Sequence, residues 1–203
     1  MPRPRSLDDT RIAAAALAVL DRGGPAALTM RALATELGMG TMSLYRYVSD
    51  REGVEDLVLA HVLAGVDPEP PPGVAWRERV VVLAVRVRAA LAAHPAVLPL
   101  LATRRHASPG ALAWGESVLA ALTEGGFAGA HRVTAFRAVT GHLYGAVLAD
   151  HFGPLSGPGT DALAALPDAE YPLLIATARA ASGVDPDAAF RASLAAVLDG
   201  LSR

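Results

Sequence analysis

The residues of this chain best suited to chemistry gather in one short stretch, Thr41-Met42-Ser43-Leu44-Tyr45-Arg46-Tyr47-Val48. Leu44 and Val48 stand four apart, so a helix through the stretch buries them on one face and turns Met42, Ser43, Tyr45, Arg46 and Tyr47 to its other sides. That outward set is unusual for a surface facing only water and well suited to nucleic acid. The planar fork of Arg46 matches guanine O6 and N7, Thr41 and Ser43 reach base edges or phosphates, and Met42 fits a thymine methyl. Tyr45 and Tyr47 are long and stiff and end in a hydroxyl, which suits phosphate contacts that fix a helix in the major groove. Half-buried packing is the competing role for the two tyrosines. Arg31 and Arg51 fall on the flanking helices, where a guanidinium and the free amides of a helix start together grip phosphate. An intradomain ion pair is the competing role for Arg31. Arg3 and Arg5, separated by proline, form an arm that suits a minor groove.

No comparable pattern occurs elsewhere. The six histidines include no H-E-x-x-H spacing, and Asp150-His151 are helix neighbours that face different ways, so no metal or cofactor is expected. His142 reads as a hydrogen-bonded core or interface residue, and His94 before Pro95 as part of a helix end. No nucleophile, base and orienting group stand at recognisable spacing, which argues against an enzyme. Gly153 to Gly159 lacks the strand-to-helix setting of a nucleotide loop. Arg105, Trp114, Phe136, Arg137 and Tyr144 are candidates to line a mostly apolar ligand cavity with a few polar anchors, plain core being the other reading of a Trp or Phe at helical spacing.

These side chains need helices to hold them, and the composition supplies helix formers. Hydrophobic residues make up 52% of 203, only 5% are aromatic, and Ala, Leu and Val dominate. Without cysteine, disulfides and thiolate metal sites are excluded. A net charge of −2 argues against non-specific polyanion binding by the whole chain but allows a local basic patch. Met1 to Ser6 are polar, Arg11 and Asp21 interrupt the apolar residues that follow, and Val80 to Leu91 carries Arg86 and Arg88, so neither a secretion signal nor a membrane span is expected and the chain reads as cytoplasmic.

Helical spacing of Ile12, Ala15, Ala16, Val19 and Leu20 predicts a first helix ending at Gly23-Gly24-Pro25. Thr29 is expected to cap a second through Met30, Leu33, Ala34 and Leu37, closed by Gly38. Thr41 is expected to cap the third, and Ser49-Asp50-Arg51-Glu52 matches a capping box for a fourth running toward Gly65. Two short helices joined by a Gly-containing turn outline a helix-turn-helix. Four prolines between Asp67 and Gly73 predict a boundary, giving domains 1–66 and 67–203. Six further helices are expected over Trp76–Ala93, Pro95–Thr103, Pro109–Glu124, Ala128–Phe152, Tyr171–Ser182 and Pro186–Leu201, with a mobile loop over Gly153 to Thr160. The fold class is all-α: an N-terminal three-helix helix-turn-helix domain and a larger helical bundle.

Leu28-Thr29-Met30-Arg31-Ala32-Leu33-Ala34, Leu37-Gly38-Met39, Leu44-Tyr45-Arg46-Tyr47-Val48 and Asp50-Arg51-Glu52 together resemble the DNA-binding signature of the TetR family over about residues 9 to 55. The resemblance implies that Tyr45 touches phosphate or base, that Arg51 contacts phosphate and that Leu44 is core. Trp76-Arg77, His94-Pro95, Gly126-Phe127 and Gly141-His142-Leu143-Tyr144-Gly145 resemble the tetracycline-repressor type of C-terminal domain. By that resemblance the helices from about Ala128 and Pro186 form a four-helix bundle with a second subunit, and the others enclose a ligand. One departure matters: the drug-sensing members place histidines where this chain has Asp67 and Leu101, so magnesium-tetracycline is not the expected inducer. The implied function is a homodimeric repressor that binds a near-palindromic double-stranded operator and leaves it when a small molecule binds, the fourth helix acting as lever. The rival is a helical-bundle enzyme or small-molecule carrier with no DNA role. An activator fits the same sequence.

Overall fold

In the computed structural model, residues 7–152, 155, 157–167 and 170–202 are described, and these contain helices and no strand. The helices are α1 (Asp9–Ala27), α2 (Met30–Glu36), α3 (Thr41–Leu44), α4 (Arg51–Leu63), α5 (Trp76–Ala92), α6 (Leu98–Arg104), α7 (Pro109–Glu124), α8 (Gly129–Phe152), α9 (Gly157–Ala164), α10 (Pro172–Ala181) and α11 (Pro186–Leu201), with 3-10 turns at Pro95–Val97 and Arg105–Ala107. Arg3 and Arg5 lie outside the described residues. Among the described residues no single helix is long and apolar enough to cross a membrane.

The chain forms two compact units, Met1–Pro68 with Ala93–Glu116, and Glu69–Ala92 with Ser117–Arg203. The first change of unit falls in the proline-rich segment. The division expected from sequence, 1–66 and 67–203, differs in keeping 93–116 with the second part. Burial explains the return of 93–116 to the first: Val97, Leu98 and Leu101 are buried, the 3-10 turn at Pro95–Val97 packs on α1, and α6 packs on α4.

In the first unit, the Asp8 carboxylate caps α1 by accepting from Arg11 N at 2.9 Å. Ile12, Ala16, Val19 and Leu20 are buried as their spacing requires, but Ala13 rather than Ala15 completes the face. Gly23-Gly24-Pro25 kinks the segment instead of ending it. Gly24 takes φ 70°, a conformation that costs a Cβ-bearing residue dearly, and one more turn follows through Ala27. Thr29 caps α2, its Oγ1 accepting from Ala32 N at 3.1 Å. Gly38, at φ 67°, closes that helix: Met39 N donates to Ala34 O at 2.9 Å and Gly38 N to Thr35 O at 3.0 Å, the double bond of a Schellman turn.

Two capping expectations need correction. Gly40, not Thr41, occupies the N-cap of α3, and no side chain caps it. Asp50, not Ser49, caps α4, accepting from Gly53 N at 2.8 Å. The helix starts one residue later than the capping-box register demands, which puts glycine where the reciprocal carboxylate would stand.

In the second unit α5, α8 and α11 pack on one another. The contact uses stripes with a four-residue step: Ala135, Val139, Leu143 and Val147 on α8, and Phe190, Leu194 and Leu198 on α11. Asp185 caps α11 ahead of Pro186, and Ser108 caps α7 ahead of Pro109 in the first unit. The loop expected over Gly153 to Thr160 is corrected by α9, which starts at Gly157. Proline is tolerated in a first helical turn, and Thr160 and Leu163 provide the covered face that packs α9 against α10.

Candidate nucleic-acid interface and ligand cavity

The outward set of the sequence reading sits on a helical turn held from within. Leu44 N donates to Gly40 O at 3.2 Å and Val48 N to Leu44 O at 3.2 Å, while Arg46 N and Tyr47 N make tighter bonds to Ser43 O and Leu44 O. The stretch is thus one α-turn of four residues continued by a 3-10 turn, too short to stand without tertiary support. Leu44 at 0% and Val48 at 7% exposure supply that support. Met42 is 81% exposed, Tyr45 and Tyr47 are exposed too, and Thr41 and Ser43 are half-buried beside them. The guanidinium groups of Arg31 and Arg46 are exposed and have no side-chain partner among the described residues.

Arg51 is differently placed. Its Nε donates to Glu55 Oε1 at 2.8 Å and its Nη2 to Pro25 O at 3.0 Å, which ties the start of α4 to the chain just after the α1 kink. Further along α4, Arg104 of α6 forks onto Asp56 through Nε (2.6 Å) and Nη2 (2.8 Å) and reaches Glu52 through Nη1 (2.7 Å). The Arg104 hydrogen bonds hold the Asp56 carboxyl below its ordinary pKa, against the opposing effect of burial. Sequence reading missed Arg104, because its partners lie 48 and 52 residues away and no local spacing connects them.

The second unit contains a cavity of about 1040 Å³. Its walls include Gly141, Gly145 and Ala149 of α8, Thr160 of α9, Ala181 of α10 and Phe190 of α11. Arg88 of α5 borders it, only 7% exposed, bonded through Nη2 to both Asp150 oxygens at 3.0 and 2.8 Å and through Nη1 to Asp187, with its guanidinium 5.0 Å from the Phe190 ring centre. Burial works against the charged form of Arg88, but the bonds to Asp150 and Asp187 outweigh it and leave the pKa raised. His142, stacked on Phe190 at 5.3 Å, has its pKa lowered by burial.

None of the five residues expected to line a ligand cavity borders this one. Arg105 is exposed in the first unit and donates to Ala102 O, and Trp114 is buried on the part of α7 that belongs to the same unit. Phe136, Arg137 and Tyr144 are on α8 in the second unit. The structure therefore does not bring the five together. The wall of the second-unit cavity is built from small residues, and the only sequence signal for it is the four-residue spacing of Gly141, Gly145 and Ala149, which a search for aromatic anchors passes over.

Comparisons with known proteins cover nearly the whole chain. Residues 12–54 match the family described as bacterial regulatory proteins, tetR family, and residues 68–203 match the tetracyclin repressor-like C-terminal domain. An HTH-type transcriptional regulator of Saccharopolyspora erythraea is 38% identical over 144 residues, 71% of this chain; the chain spans 61% of that relative's length. The class A tetracycline repressor protein from transposon 1721 of Escherichia coli is 30% identical over 202 residues, covering 97% of this chain and 91% of that protein. Among solved structures, ActR of Streptomyces coelicolor in complex with actinorhodin superposes with a TM-score of 0.74 at 28% identity, covering 98% of this chain and 96% of that one. With its N-terminal and C-terminal parts both matched, and the helix-turn-helix and helical C-terminal part in place, the chain belongs to the TetR family of bacterial regulatory proteins.

Proposed function

We propose that the protein is a homodimeric, cytoplasmic transcriptional repressor that binds a near-palindromic operator and is released by a small-molecule inducer. The observation that carries the reading is the contrast within one helical turn between fully buried Leu44 and exposed Met42, Tyr45, Arg46 and Tyr47. Arg46 reads a guanine, Met42, Ser43 and Thr41 meet base edges or nearby phosphates, and Tyr45, Tyr47 and Arg31 hold the backbone. Arg51 adds a phosphate contact from Nη1, the nitrogen its two internal partners leave available.

Dimerisation is supported by α8 and α11, which each bury a narrow stripe and leave Val133, Leu148, Ala192, Ala195 and Ala196 exposed. Two copies then present their reading helices about 34 Å apart to successive major grooves. Induction is supported by the actinorhodin complex of ActR. Magnesium-tetracycline is not the inducer we propose, because Asp67 and Leu101 stand where the drug-sensing members carry histidines, and Leu101 is buried. The ligand acts by binding more tightly to a conformer with another reader separation, with α4, pinned to α6 by Arg104, as the lever.

Footprinting on the gene's own upstream intergenic DNA at two salt concentrations tests the reading. A protected near-palindrome is expected for the wild type. Arg46→Ala should cost about 1 to 3 kcal/mol and relax one base position, whereas Arg51→Ala should weaken all sequences alike. If both variants lose affinity with no change in base preference, the assigned roles are wrong.

A further inference from the structure

We infer that the second-unit cavity binds a flat aromatic molecule that is uncharged or cationic, and that it selects against anions. The inference rests on the ligand-responsive reading only in requiring that some small molecule binds; the site and the ligand class come from the cavity itself.

Its size, about 1040 Å³, is at the upper end of what drug-sized ligands occupy. Its shape is set by glycine. Gly141 and Gly145 are interior residues of a 24-residue helix, a placement that costs about 0.5 to 1 kcal/mol each relative to alanine. A Cβ at either would meet nothing within 4 Å, so no close approach of another segment of this chain explains them. With Ala149 one turn on, they make a bare floor along α8 that leaves room for a ring system. Phe190 and His142, nearly parallel at 18°, form an aromatic shelf beside it. Ser193 Oγ lies 3.0 Å from His142 Nε2, and burial favours the neutral imidazole, so the shelf adds no positive charge.

The charges at the cavity determine the sign of the ligand. Arg88 is already answered by Asp150 and Asp187, while Asp161 of α9 borders the cavity with no side-chain partner among the described residues. One guanidinium against three carboxylates leaves this region net negative, and a low-dielectric wall strengthens that preference. Two wall residues also carry a buried polar atom with no partner, Arg88 Nε and Thr160 Oγ1. After a small side-chain rotation a ligand heteroatom would satisfy either, which the apolar wall cannot do.

The test uses two dyes on one xanthene skeleton, cationic rhodamine 6G and anionic fluorescein, titrated at neutral pH into full-length, DNA-free protein and followed by fluorescence anisotropy. Rhodamine 6G should bind about tenfold or more tighter than fluorescein. Gly145→Leu, which places a side chain in open space and improves helix propensity, should weaken rhodamine 6G about tenfold or more. Gly141→Leu, one turn earlier, should do the same, so a folding defect in one variant leaves the other to decide. Asp161→Asn should narrow the gap between the dyes. Equal or tighter binding of fluorescein, or wild-type rhodamine binding by both glycine variants, overturns the inference. So does a shift of both variants from dimer to monomer on gel filtration with dye binding intact, which would assign the stripe to packing between copies. Dye selectivity without a footprint would sink the regulatory reading and leave the cavity standing; a footprint without dye selectivity would do the reverse.

Discussion

Each unit of the molecule holds an arginine forked between carboxylates of two residues, and the two forks differ in burial and in completeness. Arg104 in the first unit is partly exposed and uses Nε, Nη1 and Nη2 on Asp56 and Glu52. Arg88 in the second is buried, uses only Nη1 and Nη2, and leaves Nε without a partner. The first unit thus keeps its polar link at the rim of an apolar core made by Ile12, Leu20, Leu33, Leu44 and Leu59. The second carries charge into its interior beside a cavity. A rim link adjusts at little cost when helices move, whereas a buried one is held by whatever surrounds it.

The largest effect that would sharpen this contrast comes from emptying the buried fork. Arg88→Ala should lose about 3 kcal/mol, toward the low end for a broken buried pair because Asp187 is 71% exposed and regains water. Arg88→Met retains the bulk against Phe190 and removes the unpaired Nε together with the charge, so it should stay within about 1 kcal/mol of wild type. Urea unfolding of the two variants measures the difference. Equal losses would mean that the carboxylates, and not the apolar stem, determine what Arg88 contributes. Arg104→Ala should destabilise less than Arg88→Ala.

A smaller set of variants separates what local sequence specifies from what it does not. Thr29→Ala and Asp50→Ala should each cost about 1 kcal/mol, and Ser49→Ala close to nothing, because Asp50 is the residue that accepts from Gly53 N. Thermal melts of the three variants test this order, and a Ser49 effect as large as that of Asp50 would restore the capping box. Thr29, Gly38, Leu44 and Val48 were legible because their partners lie within a turn or two. The all-helical fold and most helix limits followed from the same local signals. The α4 start failed by one residue, since Ser49 and Asp50 are both good caps and tertiary packing chose between them. α9 was hidden by glycine and proline that usually mark loops. The two arginine forks and the cavity were not legible, because Arg88 meets Asp150 and Asp187 across 62 and 99 residues and a cavity leaves no residue type as its sign.

The smallest expected effect is the most direct test of the contrast, because acid should reach the two units in sequence. His142, in the second unit, has a pKa lowered from 6.5 by burial, so as pH falls through about 6.5 the unfolded chain takes the proton first and the fold loses stability. Asp56, in the first unit, has a pKa lowered from 3.8 by its bonds to Arg104, so its contribution is intact above about 3.8 and lost only as pH falls toward the depressed value. Melting temperature followed from about pH 8 to about pH 3 should therefore decline in two limbs. His142→Asn should flatten the upper limb and leave the lower, and Arg104→Gln should flatten the lower and leave the upper. If His142→Asn leaves the upper limb unchanged, its imidazole is not held neutral, and the shelf beside Phe190 no longer favours a cationic ligand over an anionic one by charge alone.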